Sequence, residues 1–245
     1  MRRSASVLCL LTLGLSSFAS AQNRTEFEAA SVKQHVSSGA SAERAGIEEN
    51  KALIRIDNLS LRVLIGMAYR VNGFQIDGPD WLDADTFDIV AKPETGYQRD
   101  QLAGLLQKLL ADRFKLEVHH ETRPASAYAL VAAKGGSTLR ETTGPRTYLT
   151  ARPGLIEGKE RSMTELKNAL SKMLDRPVED RTALTGNYDI RLEWNPRELE
   201  SPPDAATAPS LFTALQEQLG LKLERITMPV EFIVVDHAQR TPVAN

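Results

Sequence analysis

The chain has 245 residues, and its 30 Lys and Arg side chains against 32 Asp and Glu give a formal net charge of −2. This mild charge argues against a general nucleic-acid binder, which usually carries a strongly basic face, so we expect no nucleic-acid partner. The length accommodates one or two domains with substantial hydrophobic cores.

The N-terminus has the three parts of a secretory signal peptide. Arg2 and Arg3 form a positive region, residues 7–15 are apolar, and an Ala-Ser-Ala sequence ends at Ala21. The apolar run is shorter than the roughly 20 residues that span a bilayer. We therefore predict Sec export, cleavage of residues 1–21, and a periplasmic or extracellular protein without a transmembrane segment. Cleavage would remove the only cysteine, Cys9, and change the net charge from −2 to −4.

The elements of the first half, residues 22–134, alternate between strand and helix patterns. Residues 27–32 read as an extra N-terminal strand, and a helix is predicted after Ser60. Residues 87–91 alternate between apolar and polar side chains, as a half-buried strand does. A leucine-rich helix over 101–110 and a strand near 128–131 complete this half.

The second half, residues 155–245, repeats this order at an offset of about 101 or 102 residues. A helix is predicted after Ser162, where Glu165 completes a capping box. An alternating strand follows over 188–194, then a helix over 211–219 that ends at Gly220, and a central strand over 230–235. The pattern predicts an α+β fold of two duplicated lobes, each a small mixed sheet with two helices on one face.

Three polar segments rich in small residues or proline interrupt these patterns. We predict that residues 135–154 are a linker between the halves, and that 34–50 and 195–209 are surface loops.

The chain lacks the common catalytic motifs, including the G-x-S-x-G elbow, the H-E-x-x-H zinc motif, the P-loop and the G-x-G-x-x-G fingerprint. His119 and His120 are strand neighbours that should point to opposite faces, so they are poorly placed to hold one metal ion. Asp236 could orient His237 as in acid–base catalysis, but the sequence identifies no serine partner. We expect no cofactor, no metal ion and no catalytic residue.

Acidic residues are dense over 77–88, at Asp77, Asp80, Asp83, Asp85 and Asp88. Paired carboxylates could serve a glycosidase or a calcium loop, although solvated turn residues are the favoured interpretation. Trp81 lies in the same segment and either contributes to a binding surface or covers a small core.

Several strings together resemble one family. They are FEAASVK at 27–33, GPDWL at 78–82, LADRFKL at 110–116, LTGNYD at 184–189 and LGLKL at 219–223, followed by VDH at 235–237. The chain resembles an expanded family of secreted proteins from soil bacteria, typified by acidobacteria, whose domain has no assigned function. A weaker similarity, at the level of the fold, is to the short N-terminal domain of secretins and TonB-dependent receptors, which implies engagement of other proteins.

These observations favour an exported, non-enzymatic binding or sensory module that engages a protein or a cell-envelope component. Its candidate interaction residues are Trp81, Tyr128, Asp236 and His237, and a sheet edge near 128–132 could accept a partner strand. The alternative is a cell-envelope hydrolase that uses the acids of 77–88 or Asp236 with His237. A deep pocket at these acids would favour the enzyme, a shallow surface the binding module, and a closed apolar cavity between the halves a small-molecule sensor.

Overall fold

The computed structural model describes residues 26–36, 45–50, 52–94, 97–196 and 209–243. The predicted signal peptide and most of the predicted loop over 195–209 lie outside these ranges. The chain forms a mixed α+β structure. Its helices and strands, in chain order, are β1 (Phe27–Gln34), β2 (Gly46–Glu49), β3 (Ile54–Ser60), α1 (Leu61–Tyr69), β4 (Ile76–Asp77), α2 (Trp81–Ala84), β5 (Thr86–Pro93), α3 (Leu102–Phe114), β6 (Glu117–Ala132), β7 (Thr150–Arg152), β8 (Leu155–Ser162), α4 (Met163–Leu174), β9 (Val178–Asp180), β10 (Asn187–Glu193), α5 (Leu211–Leu219) and β11 (Leu221–His237).

The starts of α1 and α4 and the end of α5 are those that the sequence indicated, whereas the helix predicted over 101–110 extends as α3 to Phe114. Ser60 caps α1, and Ser162 with Glu165 forms the predicted capping box at α4. These side chains satisfy backbone N–H groups that have no partner within the first helical turn. Gly220 ends α5 in the left-handed conformation, with φ of 62°, which glycine adopts without steric cost.

Two of the three sheets each belong to one half of the chain. Strands β1, β5, β3 and β2 form the first sheet, in that order, and β10, β8 and β7 form the second. The predicted N-terminal strand is confirmed, because β1 pairs antiparallel with β5. The predicted alternation is also confirmed: Phe87, Ile89 and Ala91 are buried in β5, and Tyr188, Ile190 and Leu192 are buried in β10.

The third sheet joins the halves through a long antiparallel ribbon. Strands β6 and β11 have 16 and 17 residues and pair along almost their whole lengths, from Ala132 opposite Leu221 to Glu117 opposite His237. Short parallel strands extend the ribbon, β4 beside β11 and β9 beside β6. The residues predicted to form a central strand, 230–235, therefore lie between two neighbouring strands.

Each hydrophobic core contains a residue from the other half. The first core is built on the first sheet, α1 and α3, and includes Ile233 of β11, which is fully buried. The second core is built on the second sheet, α4 and α5, and includes Leu130 of β6, also fully buried. The ribbon therefore couples the two cores, since each half contributes part of the packing of the other.

The two halves share local geometry as well as element order. Asn58 and Glu160 both have positive φ, 55° and 54°. The amide of Asn58 donates to Asp88 Oδ1 at 2.9 Å, and the amide of Glu160 donates to Asp189 Oδ1 at 3.0 Å. The same bulge and the same stabilising carboxylate thus occur at an offset of 101 or 102 residues. Duplication as the origin of this likeness stays a prediction.

The segment predicted to be a linker is hydrogen-bonded to the second half. The amide of Thr138 donates to the carbonyl of Leu219 at 3.1 Å, and the amide of Thr142 donates to that of Asn187 at 2.9 Å. Residues Thr150–Arg152 form β7 and extend the second sheet. Likewise, the polar stretch over 34–50 contains β2. No helix in the described ranges is long and apolar enough to cross a membrane.

Candidate functional site

Three acidic residues of 77–88, Asp77, Asp83 and Asp85, are engaged with cations from distant parts of the chain. Asp77 lies 2.7 Å from a guanidinium nitrogen of Arg123, and Asp83 lies 2.7 Å from Nε of Arg62. The solvated-turn interpretation therefore omitted ion pairs that only the fold creates. These two ion pairs attach the segment to α1 and β6.

Asp85 holds the C-terminal segment to the first sheet. It forms a two-contact ion pair with Arg240 and accepts a hydrogen bond from Gln34 Nε2 at 3.3 Å. The hydrogen bond from Arg240 holds the pKa of the Asp85 carboxyl below its ordinary value, with burial opposing and the cationic charge assisting. A general acid needs a raised pKa instead, so this geometry suits a structural role for Asp85.

The histidines pair with separate carboxylates. Nδ1 of His119 lies 2.9 Å from both carboxylate oxygens of Asp236, and Nδ1 of His120 lies 2.9 Å from Glu231. The carboxylate of Asp236 thus faces His119, across the ribbon, and both pairs are about half exposed. No group of three or more His, Cys, Asp or Glu side chains within the described ranges is arranged to hold a metal ion.

The two aromatic candidates lie in different halves. Trp81 begins the short helix α2 and is partly buried against the first core. Tyr128 is partly buried against the second core, and its ring lies 5.7 Å from that of Phe212 in an edge-to-face contact. The structure does not bring Trp81 and Tyr128 into one contact.

The sheet edge near 128–132 is already occupied. Tyr128 and Leu130 of β6 pair with Val178 and Asp180 of β9. The prediction that this edge accepts a partner strand is wrong, because the short strand after α4 fills it.

Two prolines near the middle of the ribbon remove outward-facing hydrogen-bond donors from its edges. The amide of Tyr128 and the carbonyl of Leu130 bond to the β9 segment, so even-numbered residues of β6 direct their backbone groups away from β11. Pro124 is at such a position, opposite Pro229 of β11. Because proline has no N–H group, both strands lack an outward donor at this point.

A hollow of about 590 Å³ lies between α1 and the end of α4, and we call it the α1–α4 hollow. Val63, Met67 and Phe74 give it apolar walls, and Lys172 and Asp175 of the second half lie at its rim. Val63 is 45% exposed. The volume falls within the range of roughly 300–1,000 Å³ that is common for ligand sites.

A second hollow, of about 650 Å³, lies on the other side of α1, and we call it the Glu49 hollow. Ile47, Met67 and Leu102 form its apolar lining, and Glu49 and Tyr97 contribute polar groups. Met67 lines both hollows, so the outer face of α1 is continuous between them. None of the acids of 77–88, and neither Asp236 nor His237, lines either hollow.

The polar group of the Glu49 hollow is a partly desolvated carboxylate. The side chain of Glu49 is only 14% exposed, and the Tyr97 hydroxyl donates to its Oε1 at 2.6 Å. Burial raises the pKa of the Tyr97 phenol, and the bond to the Glu49 carboxylate raises it further. Tyr97 therefore remains a hydrogen-bond donor throughout the physiological pH range.

The outer faces of α1 and α4 differ although both helices follow the same cap. Val63 is the third residue after Ser60, and Glu165 is the third after Ser162. Glu165 is paired with Arg161 and completes the capping box. The apolar outer face is therefore a feature of the first half at this position.

Sequence reasoning missed the residues of both hollows. The buried side of α1 consists of Leu61, Leu64, Ile65 and Ala68. Val63 and Met67 are apolar residues outside this set, and their position was the signal that the sequence offered. Glu49 lies in a stretch that was predicted to be a loop, and no local pattern links it to Tyr97, 48 residues away.

A comparison with protein families matches residues 62–238 to a family described as a protein of unknown function (DUF3738). The matched region begins in α1 and ends just after β11, so it covers both strands of the ribbon. Comparisons with curated proteins and with solved structures gave no match.

Proposed function

The chain belongs to the DUF3738 family of proteins of unknown function, and we propose that it is an exported, non-enzymatic binding module. Its ligand is a protein or a cell-envelope component, and its contact surface is the outer face of α1 with the two adjoining hollows. The observation that carries this proposal is the exposure of Val63, 45%, between hollows of about 590 and 650 Å³.

Physical considerations support a binding role for this surface. Exposed apolar side chains beside concave, partly polar hollows are typical of ligand and protein contacts. The proposal includes removal of residues 1–21 and a location in the periplasm or outside the cell. The likeness to the short N-terminal domain of secretins, and an origin in soil bacteria, are part of the same proposal.

The alternative is an envelope hydrolase, which would need carboxylates free to transfer protons. Three of the candidate acids instead form ion pairs: Asp77 with Arg123, Asp83 with Arg62, and Asp85 with Arg240. This pairing supports the binding proposal over the hydrolase. A small-molecule sensor would need a closed apolar cavity between the halves. The α1–α4 hollow lies between the halves, but it is open to solvent and Lys172 and Asp175 are among its lining residues, so it does not favour the sensory role.

Site-specific photo-crosslinking tests the proposal. A photoreactive residue replaces Val63 in the exported protein, which is then irradiated with the envelope fraction of the native host. The matched control carries the same residue at Asn168, an exposed position on α4. We expect one defined adduct from position 63 and none from position 168.

Two results would contradict the proposal. Equal crosslinking from both positions would show that the contacts are unspecific. Hydrolysis of envelope material by the pure protein, abolished by Asp77→Asn or Asp83→Asn, would establish the enzyme instead.

A further inference from the structure

We propose that the Glu49 hollow binds a primary alkylammonium group, the chemistry of a lysine side chain. This inference rests on the proposed function and names the ligand chemistry of one part of the α1 surface. It follows from three features: a carboxylate with spare acceptor capacity, a loosely held cation from the same chain, and an apolar wall.

The Glu49 carboxylate is positioned before any ligand arrives. It lies on β2, where backbone pairing with β3 fixes its strand, and the Tyr97 hydroxyl holds Oε1 at 2.6 Å. A carboxylate accepts about four hydrogen bonds, so one from Tyr97 leaves most of this capacity unused. Because the side chain is only 14% exposed, a cation gains more from this carboxylate than from one in open water.

Arg99 occupies the cation position weakly. Its Nε lies 3.4 Å from Oε2 of Glu49, and its side chain is 89% exposed. Strong charge-assisted bonds are shorter, about 2.7–2.9 Å, and exposed ion pairs contribute little stability. A ligand cation can therefore displace Arg99 at low cost.

The walls of the hollow suit an aliphatic stem. Ile47, Met67 and Leu102 line it, and lysine commonly buries its methylene chain along apolar surface while the ammonium group binds elsewhere. Methionine adapts its shape to an inserted chain. The compact ammonium group has three donors, which match the unused acceptor positions of Glu49.

Isothermal titration calorimetry on the exported protein tests the proposal with defined probes. N-acetyl-lysine N-methylamide represents a polypeptide source, and 1,4-diaminobutane represents a free amine. N-acetyl-norleucine N-methylamide keeps the stem but lacks the charge. We expect the lysine probe to bind and the norleucine probe to bind at least about tenfold more weakly, as the loss of a charged hydrogen bond requires. Tighter binding of diaminobutane than of the lysine probe assigns the natural source to a free amine.

Two substitutions should have opposite effects. Glu49→Gln should weaken the lysine probe at least about tenfold, whereas Arg99→Gln should strengthen it by removing the competing cation. The matched control, Glu48→Gln, changes the neighbouring exposed acid on the same strand and should leave affinity unchanged. Arg99 is highly exposed, so Arg99→Gln should fold normally. This variant therefore tests the proposal even if Glu49→Gln folds poorly.

The proposal is overturned if no amine binds at millimolar concentration, or if Arg99→Gln weakens binding. These outcomes, together with an intact crosslink from position 63, leave the proposed function standing. Loss of both amine binding and the crosslink removes both proposals.

Discussion

Replacing Ile233 by alanine tests whether the ribbon couples the two cores. Ile233 belongs to the second half of the chain, yet it is fully buried in the first core. Removing its outer methyl and methylene groups loses their transfer free energy and leaves a cavity, which together cost about 2–5 kcal/mol. For a protein of this size, about 3 kcal/mol lowers the melting temperature by roughly 6–12 °C.

The two tryptophans report on the two cores separately. Trp81 packs against the first core, and Trp194 is 4% exposed within the second. In a Trp194→Phe background, urea unfolding followed by fluorescence reports the first core, and in a Trp81→Phe background it reports the second. We expect Ile233→Ala to lower the unfolding midpoint equally in both backgrounds, because the shared strands make unfolding cooperative.

A matched control fixes the scale of this effect. Val90 is 38% exposed on the first sheet, and Val90→Ala should change the free energy of unfolding by about 0.5 kcal/mol or less. The coupling argument fails if Ile233→Ala also costs less than about 1 kcal/mol. It fails equally if only one tryptophan reports the change, since the cores would then unfold independently.

Three further predictions follow from local geometry. Gly220→Ala should destabilise the protein by more than about 1 kcal/mol in urea unfolding. The φ angle of Gly220 is 62°, and an added Cβ would lie 2.3 Å from the carbonyl oxygen of Gly136. Equal stability of the variant and the wild type would contradict the packing of the 135–154 segment. Ser171→Ala should cost about 1–3 kcal/mol in the same assay, because the buried hydroxyl accepts a buried backbone N–H at 2.9 Å; an unchanged midpoint would refute this. The pairing with Arg240 lowers the folded-state pKa of Asp85. The ion pair therefore stabilises the fold above the unfolded-state pKa of about 3.9, and this stabilisation disappears as pH falls through the folded-state pKa. The difference in melting temperature between wild type and Asp85→Asn should shrink below about pH 4, and a difference that does not change with pH would exclude this ion pair as the cause.

Local patterns in the sequence predicted most of the helices and strands. The capping box of Ser162 with Glu165 depends on residues three apart, and the alternation of Phe87 and Ile89 depends on residues two apart. Such signals act through neighbouring backbone groups and survive in any tertiary arrangement. The order of elements in the two halves was predictable for the same reason.

These local patterns did not predict most of the candidate site. Glu49 and Tyr97 meet because β2 and the segment before α3 adjoin α1, and no sequence period records that contact. The ion pair of Asp77 with Arg123 likewise joins residues 46 positions apart. Reasoning from local composition therefore described the acids of 77–88 as solvated turn residues.

The sequence by itself determined where this chain forms its main helices and the alternating strands β5 and β10, because burial periodicity and end capping are properties of short segments. Strands β2 and β7, by contrast, lie in segments that were predicted to be a loop and a linker. Only the tertiary structure decided that Ile233 completes the first core, that Leu130 completes the second, and that β9 covers the edge at Tyr128. These outcomes depend on which strands meet across about 50 residues of chain, for β6 with β9, or about 90 to 120, for β6 with β11. Pairing at that distance is selected by the total packing of the fold, to which any single segment contributes too little to reveal its partner.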